Sequence, residues 1–175
     1  MSHRKPIKAL PADIVVRREE AGDDQSVNGL YRSVFGPGRH VRTSYLIRQT
    51  IRPDLRVSFI AARRGFTIGA IRQTPVMVGN TPIYLLGPLA VAETAAKQGI
   101  GRALLTMSIE AARQTAAVAI VLVGDEPFYG PHGFLPAAGV VLMPGPVEAE
   151  RLLMLPLGAP VSGHLQPRPW PVSAA

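Results

Sequence analysis

Cysteine is absent from the 175 residues. That excludes a disulfide framework and any thiolate-held metal centre, and it fits a reducing cytoplasm. Histidine is scarce as well: His3, His40, His132 and His164 stand far apart, with no spacing that would place two imidazoles on one ion, so no metal site is expected. Long apolar runs are missing. Met-Ser-His-Arg-Lys-Pro-Ile-Lys at the N-terminus has the charge of a secretory leader but no apolar stretch behind it. No other run approaches the roughly 20 residues of a membrane span. A soluble, cytoplasmic protein without a membrane partner is the expectation. Acidic residues are the scarcer sign of charge, 12 against 19 basic, for a net charge of +7. The imbalance is local: from Arg32 to Arg72 nine arginines face one acid, Asp54. Within that stretch Arg39, His40, Arg42 and Arg48 suit an anionic ligand, a nucleic acid or an acidic protein surface, and they equally suit a plain solvated face. Aromatic interleaving and a nucleic-acid module are both missing, which argues against nucleic acid while leaving it open.

Several catalytic signatures are also absent. There is no Gly-x-Ser-x-Gly elbow, which argues against a serine hydrolase, and no Gly-Lys-Ser/Thr triplet, which argues against a P-loop nucleotide triphosphatase. A dinucleotide fingerprint needs a third glycine where Leu104 stands and an acid where Ala119, Ile120 and Val121 stand.

What is present reads as one α/β domain over residues 13–157, after a loose basic arm (1–12) and before a proline-rich tail (158–175). Asp13–Arg18 reads as a strand. Asp23-Asp24 caps a helix carrying Val27, Leu30, Tyr31 and Val34-Phe35, which Gly36-Pro37-Gly38 ends. A second short helix follows from Thr43 to about Ile51. Val57–Ala62, Thr67–Val78 and Thr81–Val91 form a strand meander turning at Arg63-Arg64-Gly65 and Gly79-Asn80. Gly87-Pro88 interrupts the last of these strands, so a bulge is expected there and pairing with the next strand should fail nearby. A helix with Ile100, Ala103, Leu104, Met107 and Ala111 at helical spacing leads to the wholly apolar Val118–Val123. The strand, helix, strand order makes a right-handed parallel crossover. A short helix over Phe128–Phe134 and strands at Gly139–Met143 and Leu152–Leu157 complete the sheet.

The turn between Val91 and Ile100 reads either as a seat for a phosphate or pyrophosphate or as an ordinary loop that starts a helix. N–H groups at a helix start have no intrahelical partner, the dipole adds positive charge there, and Gly99 and Gly101 allow close approach to the backbone. Lys97 and Arg102 add full charge.

Leu-Ala-Val, a polar turn, Gln-Gly-Ile-Gly-Arg-Ala-Leu-Leu, a strand and then Phe-Tyr-x-x-x-Gly-Phe resemble the GNAT superfamily of acetyl-CoA-dependent N-acetyltransferases. The match is most specific over residues 83–135, and element order corresponds over about 13–157. The resemblance implies a GNAT-like fold, a mixed, mostly antiparallel sheet whose central parallel pair splays at a bulge, with helices on both faces. It also implies acetyl-CoA as co-substrate and an amine as acceptor, which the arginine-rich helices would let be anionic. By the same resemblance the pantetheine arm lies along Leu89, Ala90 and Val91, the pyrophosphate sits on the turn from Ala96, Lys97, Gln98, Gly99 and Ile100 to Gly101, Arg102 and Ala103, and Phe128 and Tyr129 border the coenzyme. Tyr129 is then the proton donor to the departing sulfur, because a phenol with a pKa of about 10 is protonated at neutral pH. Two departures stand out. Ala96 replaces the usual glutamine or arginine, and Leu85-Leu86-Gly87-Pro88 lacks the strand carboxylate of many relatives. Asp125, Glu126, Glu20 or ordered water then compete as general base, with His132 a weaker candidate. A non-catalytic acyl-CoA-binding or regulatory domain is the alternative these departures motivate, and a basic nucleic-acid-binding protein is a second. Small amine, antibiotic, peptide terminus, protein lysine and tRNA base all stay open as acceptors, as do monomer and homodimer.

Overall fold

The computed structural model describes residues 9–37 and 43–171; Arg39, His40, Arg42, His3 and residues 1–8 of the expected arm lie outside them. Strands are β1 (Ile14–Arg18), β2 (Phe59–Arg63), β3 (Phe66–Val78), β4 (Thr81–Val91), β5 (Ala119–Val123), β6 (Leu135–Pro136), β7 (Val141–Leu142), β8 (Leu152–Pro156) and β9 (Gly163–Gln166). Helices are α1 (Asp24–Phe35), α2 (Thr43–Thr50), α3 (Ile100–Ala112) and the single-turn α4 (Glu126–Tyr129). Along the order β1-β2-β3-β4-β5-β8-β6 every pair is antiparallel except β4–β5, which is parallel. This is the mixed sheet that the sequence predicts.

Local chemistry fixes the ends of these elements. The β2–β3 hairpin turns on Arg64 and Gly65, both at positive φ (51° and 84°), between the paired Arg63 and Phe66. Asp23, just ahead of α1, accepts two hydrogen bonds from Arg17 (2.7 and 2.8 Å) and one from the Glu20 N–H (2.8 Å). Alternate strand residues then face opposite layers. Ala61, Ile71, Ile120 and Leu122 pack with Ile100, Leu104 and Leu105 of α3. Ile60 and Ala70 pack with Val27, Leu30 and Tyr31 of α1, and Leu85 and Val121 with Ile47 of α2 and Ile51 just after it. β5 is covered on both sides, as its unbroken apolar run requires.

β4 changes phase midway. Tyr84 and Leu86 belong to the α3 layer, and so do Leu89 and Val91, while Leu85 and Ala90 face the other side. Gly87-Pro88 causes the slip: Gln73 pairs with Leu86 but Ile71 pairs with Leu89, so β4 carries one residue more than β3 there. Parallel pairing of β4 with β5 is confined to Tyr84–Ile120 and Leu85–Val121. Beyond Leu85 the two strands part.

Opposite the bulge lies Arg72, buried on β3. Its guanidinium donates to both oxygens of the buried Glu19, to Asp24 (2.9 Å) and to Asn28 (3.3 Å), and it lies 5.7 Å from the Tyr31 ring centroid. Tyr31 in turn donates its hydroxyl to the Pro88 carbonyl (3.0 Å). One cation therefore ties β1, α1, β3 and the bulge together.

Two segments depart from the sequence reading. The strand expected over Gly139–Met143 shrinks to Val141–Leu142 and pairs in parallel with β9, off the main path of the sheet. The N–H groups of Val140 and Val141 both turn back to the Ala137 carbonyl (3.0 Å each), in a turn that Gly139 at φ 79° permits, so the start of that stretch is not extended. The proline-rich stretch read as a tail is folded back as far as Pro171. β9 pairs with Met77 and Val78 along the edge of β3 that β2 has left. Trp170 is buried, donates its indole N–H to the Ile83 carbonyl (2.9 Å) and stands edge-on to Tyr84, 5.1 Å between centroids. Trp170→Ala should lower the unfolding free energy by about 3–5 kcal/mol, measured by urea titration. A loss below about 1 kcal/mol would mean that the segment contributes little to the fold.

Candidate active site

The parting of β4 from β5 opens a cavity of about 980 Å³, at the upper end of the range for small-molecule sites. Leu86, Gly87, Pro88 and Leu89 of the bulged strand line it, facing Asn28, Tyr31 and Arg32 of α1 and Tyr45 and Arg48 of α2. Tyr129, Asp125, Glu148 and Arg151 close the side next to β5 and β8.

Tyr129 is delivered by α4, which follows Asp125 and carries Pro127 in its first turn, where a missing N–H costs nothing. The ring packs edge-on against Phe128 (4.9 Å between centroids) and Phe134 (5.7 Å). Gly124 makes room for it, since a β-carbon there would lie 2.4 Å from Cε2 of Tyr129. Burial first, and then the Asp125 charge, push the phenol up to about 12, against the opposing fields of Arg48 and Arg151. Tyr129 is thus partly buried against the core and borders the cavity with its phenol protonated.

The glycine turn has Lys97 at φ 60° and Gly99 at φ 87°, the left-handed conformation in which glycine is least strained. No side chain caps α3, and the Ala103 N–H bonds back to the Gly99 carbonyl (3.0 Å). The N–H groups of Ile100, Gly101 and Arg102 lie ahead of that first bond. Gln98 Oε1 accepts a hydrogen bond from Arg63 (2.6 Å), whose Nε pairs with Asp13 (2.9 Å). A cation therefore stands behind the turn, although Ala96 itself offers no polar side chain. A β-carbon on Gly101 would lie 3.6 Å from Phe128 and 3.7 Å from Val91. Anion turn, splayed strand and α4 converge at that point.

A model of the acetyltransferase (GNAT) family matches residues 25–134. The chain belongs to the GNAT acetyltransferase family. No relative is detected among functionally curated proteins. In structure this GNAT protein resembles the N-acetyltransferase YhbS of Escherichia coli, solved in complex with CoA (TM-score 0.73, 23% identity, 90% of this chain and 89% of that one). It also resembles a GNAT acetyltransferase from Brucella melitensis solved with acetyl-CoA (TM-score 0.66, 23% identity, 87% and 94% of the two chains). Both likenesses concern the fold.

The GNAT cavity takes in some of the sequence-nominated residues and passes by others. Leu89, Tyr129, Asp125 and Arg48 line it; Ala90, Val91, Phe128 and the turn from Ala96 to Ala103 do not, and the turn joins the site through Val91 and Phe128. Among the nominated bases, Asp125 is exposed and paired with Arg151 (3.2 Å). Glu126 does not line the cavity and folds over Gly130, and Glu20 stays with the turn before α1. His132 is outside as well, 6.2 Å from the Phe128 ring, and burial together with the Arg102 charge holds its imidazole below the usual histidine range. The sequence reading did not nominate Tyr31, Asn28, Arg32 or Arg151 for the site. Tyr31 shares the helical spacing of Val27 and Leu30, so its burial is legible while its hydroxyl on Pro88 is not.

Gly124→Ala should force the Tyr129 ring out of place. An overpacking cost of about 1–3 kcal/mol is expected in denaturant unfolding, with the phenol titrating closer to its ordinary value of about 10 in an ultraviolet pH titration. An unaltered titration would show that the ring keeps its seat.

Proposed function

We propose that the protein transfers an acetyl group from acetyl-CoA to a primary amine, with Tyr129 as general acid. The observation that carries this reading is that the unpaired stretch of β4 and the protonated phenol of Tyr129 border one cavity, while the glycine turn packs against Val91 and Phe128, outside the cavity but on the same strand and helix. Leu89, Ala90 and Val91 pair with β3 alone, so their other edge can take an extended ligand as an additional strand. The Ile100, Gly101 and Arg102 N–H groups, with the charges of Lys97 and Arg102, suit a pyrophosphate. Arg63, working through Gln98, lends the turn a further positive field in place of what Ala96 lacks.

The coenzyme supplies an activated acyl group. As the amine nitrogen bonds to the carbonyl carbon, the carbon–sulfur bond breaks and the sulfur leaves with the Tyr129 proton. The amine then gives up its extra proton to water or to Asp125, the cavity carboxylate nearest Tyr129 in sequence, and the phenol is restored by way of solvent. A phenol raised to about 12 keeps its proton throughout the neutral range. The pH profile should therefore rise as the acceptor amine deprotonates, with no falling limb from Tyr129 below about pH 10.

The alternative is a domain that binds acyl-CoA without turnover, favoured by the missing carboxylate on β4. Calorimetric titration with acetyl-CoA and CoA, paired with turnover, separates the two. Tyr129→Phe should keep the coenzyme Kd within about twofold and reduce kcat by roughly 10²–10⁴-fold. Unchanged turnover would remove Tyr129 from the chemistry, and coenzyme binding with no turnover of any amine would favour the alternative. Gly99→Glu should weaken both coenzyme forms by placing negative charge and a strained side chain on the turn.

A further inference from the structure

The cavity holds four arginines, Arg32, Arg48, Arg72 and Arg151, against two carboxylates, Asp125 and Glu148. Arg72 is matched behind the wall by Glu19 and Asp24. Asp125 (3.2 Å) and Glu148 (4.0 Å) both pair with Arg151. Among the described residues no carboxylate pairs with Arg32, which is exposed on α1. Arg48 is carried on α2 beside Ile47, whose burial in the core fixes which way that face of the helix turns. Its Nη2 lies 3.5 Å from the Leu86 carbonyl and would stand 2.8 Å from a β-carbon on Gly87. The guanidinium thus rests on the bulge itself, where β4 leaves β5, and its field reaches both the Tyr31 and the Tyr129 phenols.

A cation at that spot repels a protonated amine and attracts an oxyanion. An amine brought beside it is also easier to deprotonate, because the positive field disfavours the ammonium form. Resting on the transferase reading above, we propose that the acceptor is a small amine that also carries an oxyacid group, carboxylate or phosphate, seated on Arg48 and Arg32 with its nitrogen directed to Tyr129. A guanidinium fork is suited to both oxyacids, and the charge pattern selects against acceptors that are purely cationic.

The test measures thiol release from acetyl-CoA by the unaltered protein with paired acceptors: glycine and glycinamide, β-alanine and its amide, O-phosphoethanolamine and ethanolamine. Amidation lowers the basicity of the amine, which by itself favours the amide, so a preference for the acid is a stringent readout. The oxyacid-bearing member of at least one pair should win by tenfold or more in kcat/KM, and the winning pair tells carboxylate from phosphate. In Arg48→Gln the preference should collapse towards parity, in Arg32→Gln it should shrink, and in both the coenzyme Kd should stay within about twofold. Members lacking the oxyacid performing as well as those carrying it, Arg48→Gln slowing every acceptor alike, or a coenzyme-binding protein that acetylates no oxyacid-bearing amine would each overturn the inference. The comparison on the unaltered protein decides even where a variant fails to fold. Failure of acetyl-CoA to bind at all would instead overturn the transferase reading, and this inference with it.

Discussion

Proline cannot donate to a hydrogen-bonded ladder, and this chain places one, directly after a glycine, inside the eleven-residue central strand β4. The sheet is thereby committed to a gap, and the functional surface is arranged around it. The crossover through α3 returns β5 in parallel to the first half of β4 only, so the second half keeps its partner on one side and loses it on the other. An opening in the middle of a sheet exposes backbone groups that must find water or a ligand. Cohesion survives because the α3 layer continues across the break through Tyr84, Leu86, Leu89 and Val91. On the opposite face, Arg72 and Tyr31 clamp β1, α1 and the Pro88 carbonyl together.

Among the described residues, the arginines between Arg32 and Arg72 stand in different settings. Arg56 is committed to Asp54 (2.9 Å), Arg63 to Asp13 and Gln98, and Arg72 to Glu19 and Asp24. Burial opposes the charge on Asp54, yet hydrogen bonds from Arg56 and from Tyr84 (2.5 Å) outweigh it and hold that carboxyl below the usual range. These arginines do structural work at places where the chain turns or where strands meet helices. Arg32 and Arg48 reach the cavity from helices α1 and α2, whereas Arg72 lines it from the sheet. Sequence position cannot separate the two groups: Asp54 stands two residues from Arg56, but Glu19 and Arg72 are 53 residues apart.

The same distinction explains what could be read in advance. Periodicity sufficed for α3 and β5, whose apolar positions are governed by burial on one or both faces, and Gly87-Pro88 was enough to place the bulge because its effect on a ladder is local. The Phe-Tyr-x-x-x-Gly-Phe pattern led to Tyr129, whose packing against Phe134 and over Gly124 is also nearly local. Tyr31 as a support for Pro88, and Arg151 as the partner of Asp125, depend on contacts that no neighbouring residue announces. The C-terminal segment escaped notice for a different reason. A four-residue strand is too short to show a period, and Trp170 sits among prolines that normally signal irregular chain.

That segment bears on how the sheet is finished. β9 occupies the upper edge of β3 after β2 has peeled away, and Trp170 pins it from beyond. An uncovered strand edge is a template for pairing with a second chain. The segment from Gly163 to Trp170 thus acts as a selvedge: it binds off a border of β3 that the hairpin leaves raw, and a molecule clipped ahead of it would present that border to its neighbours.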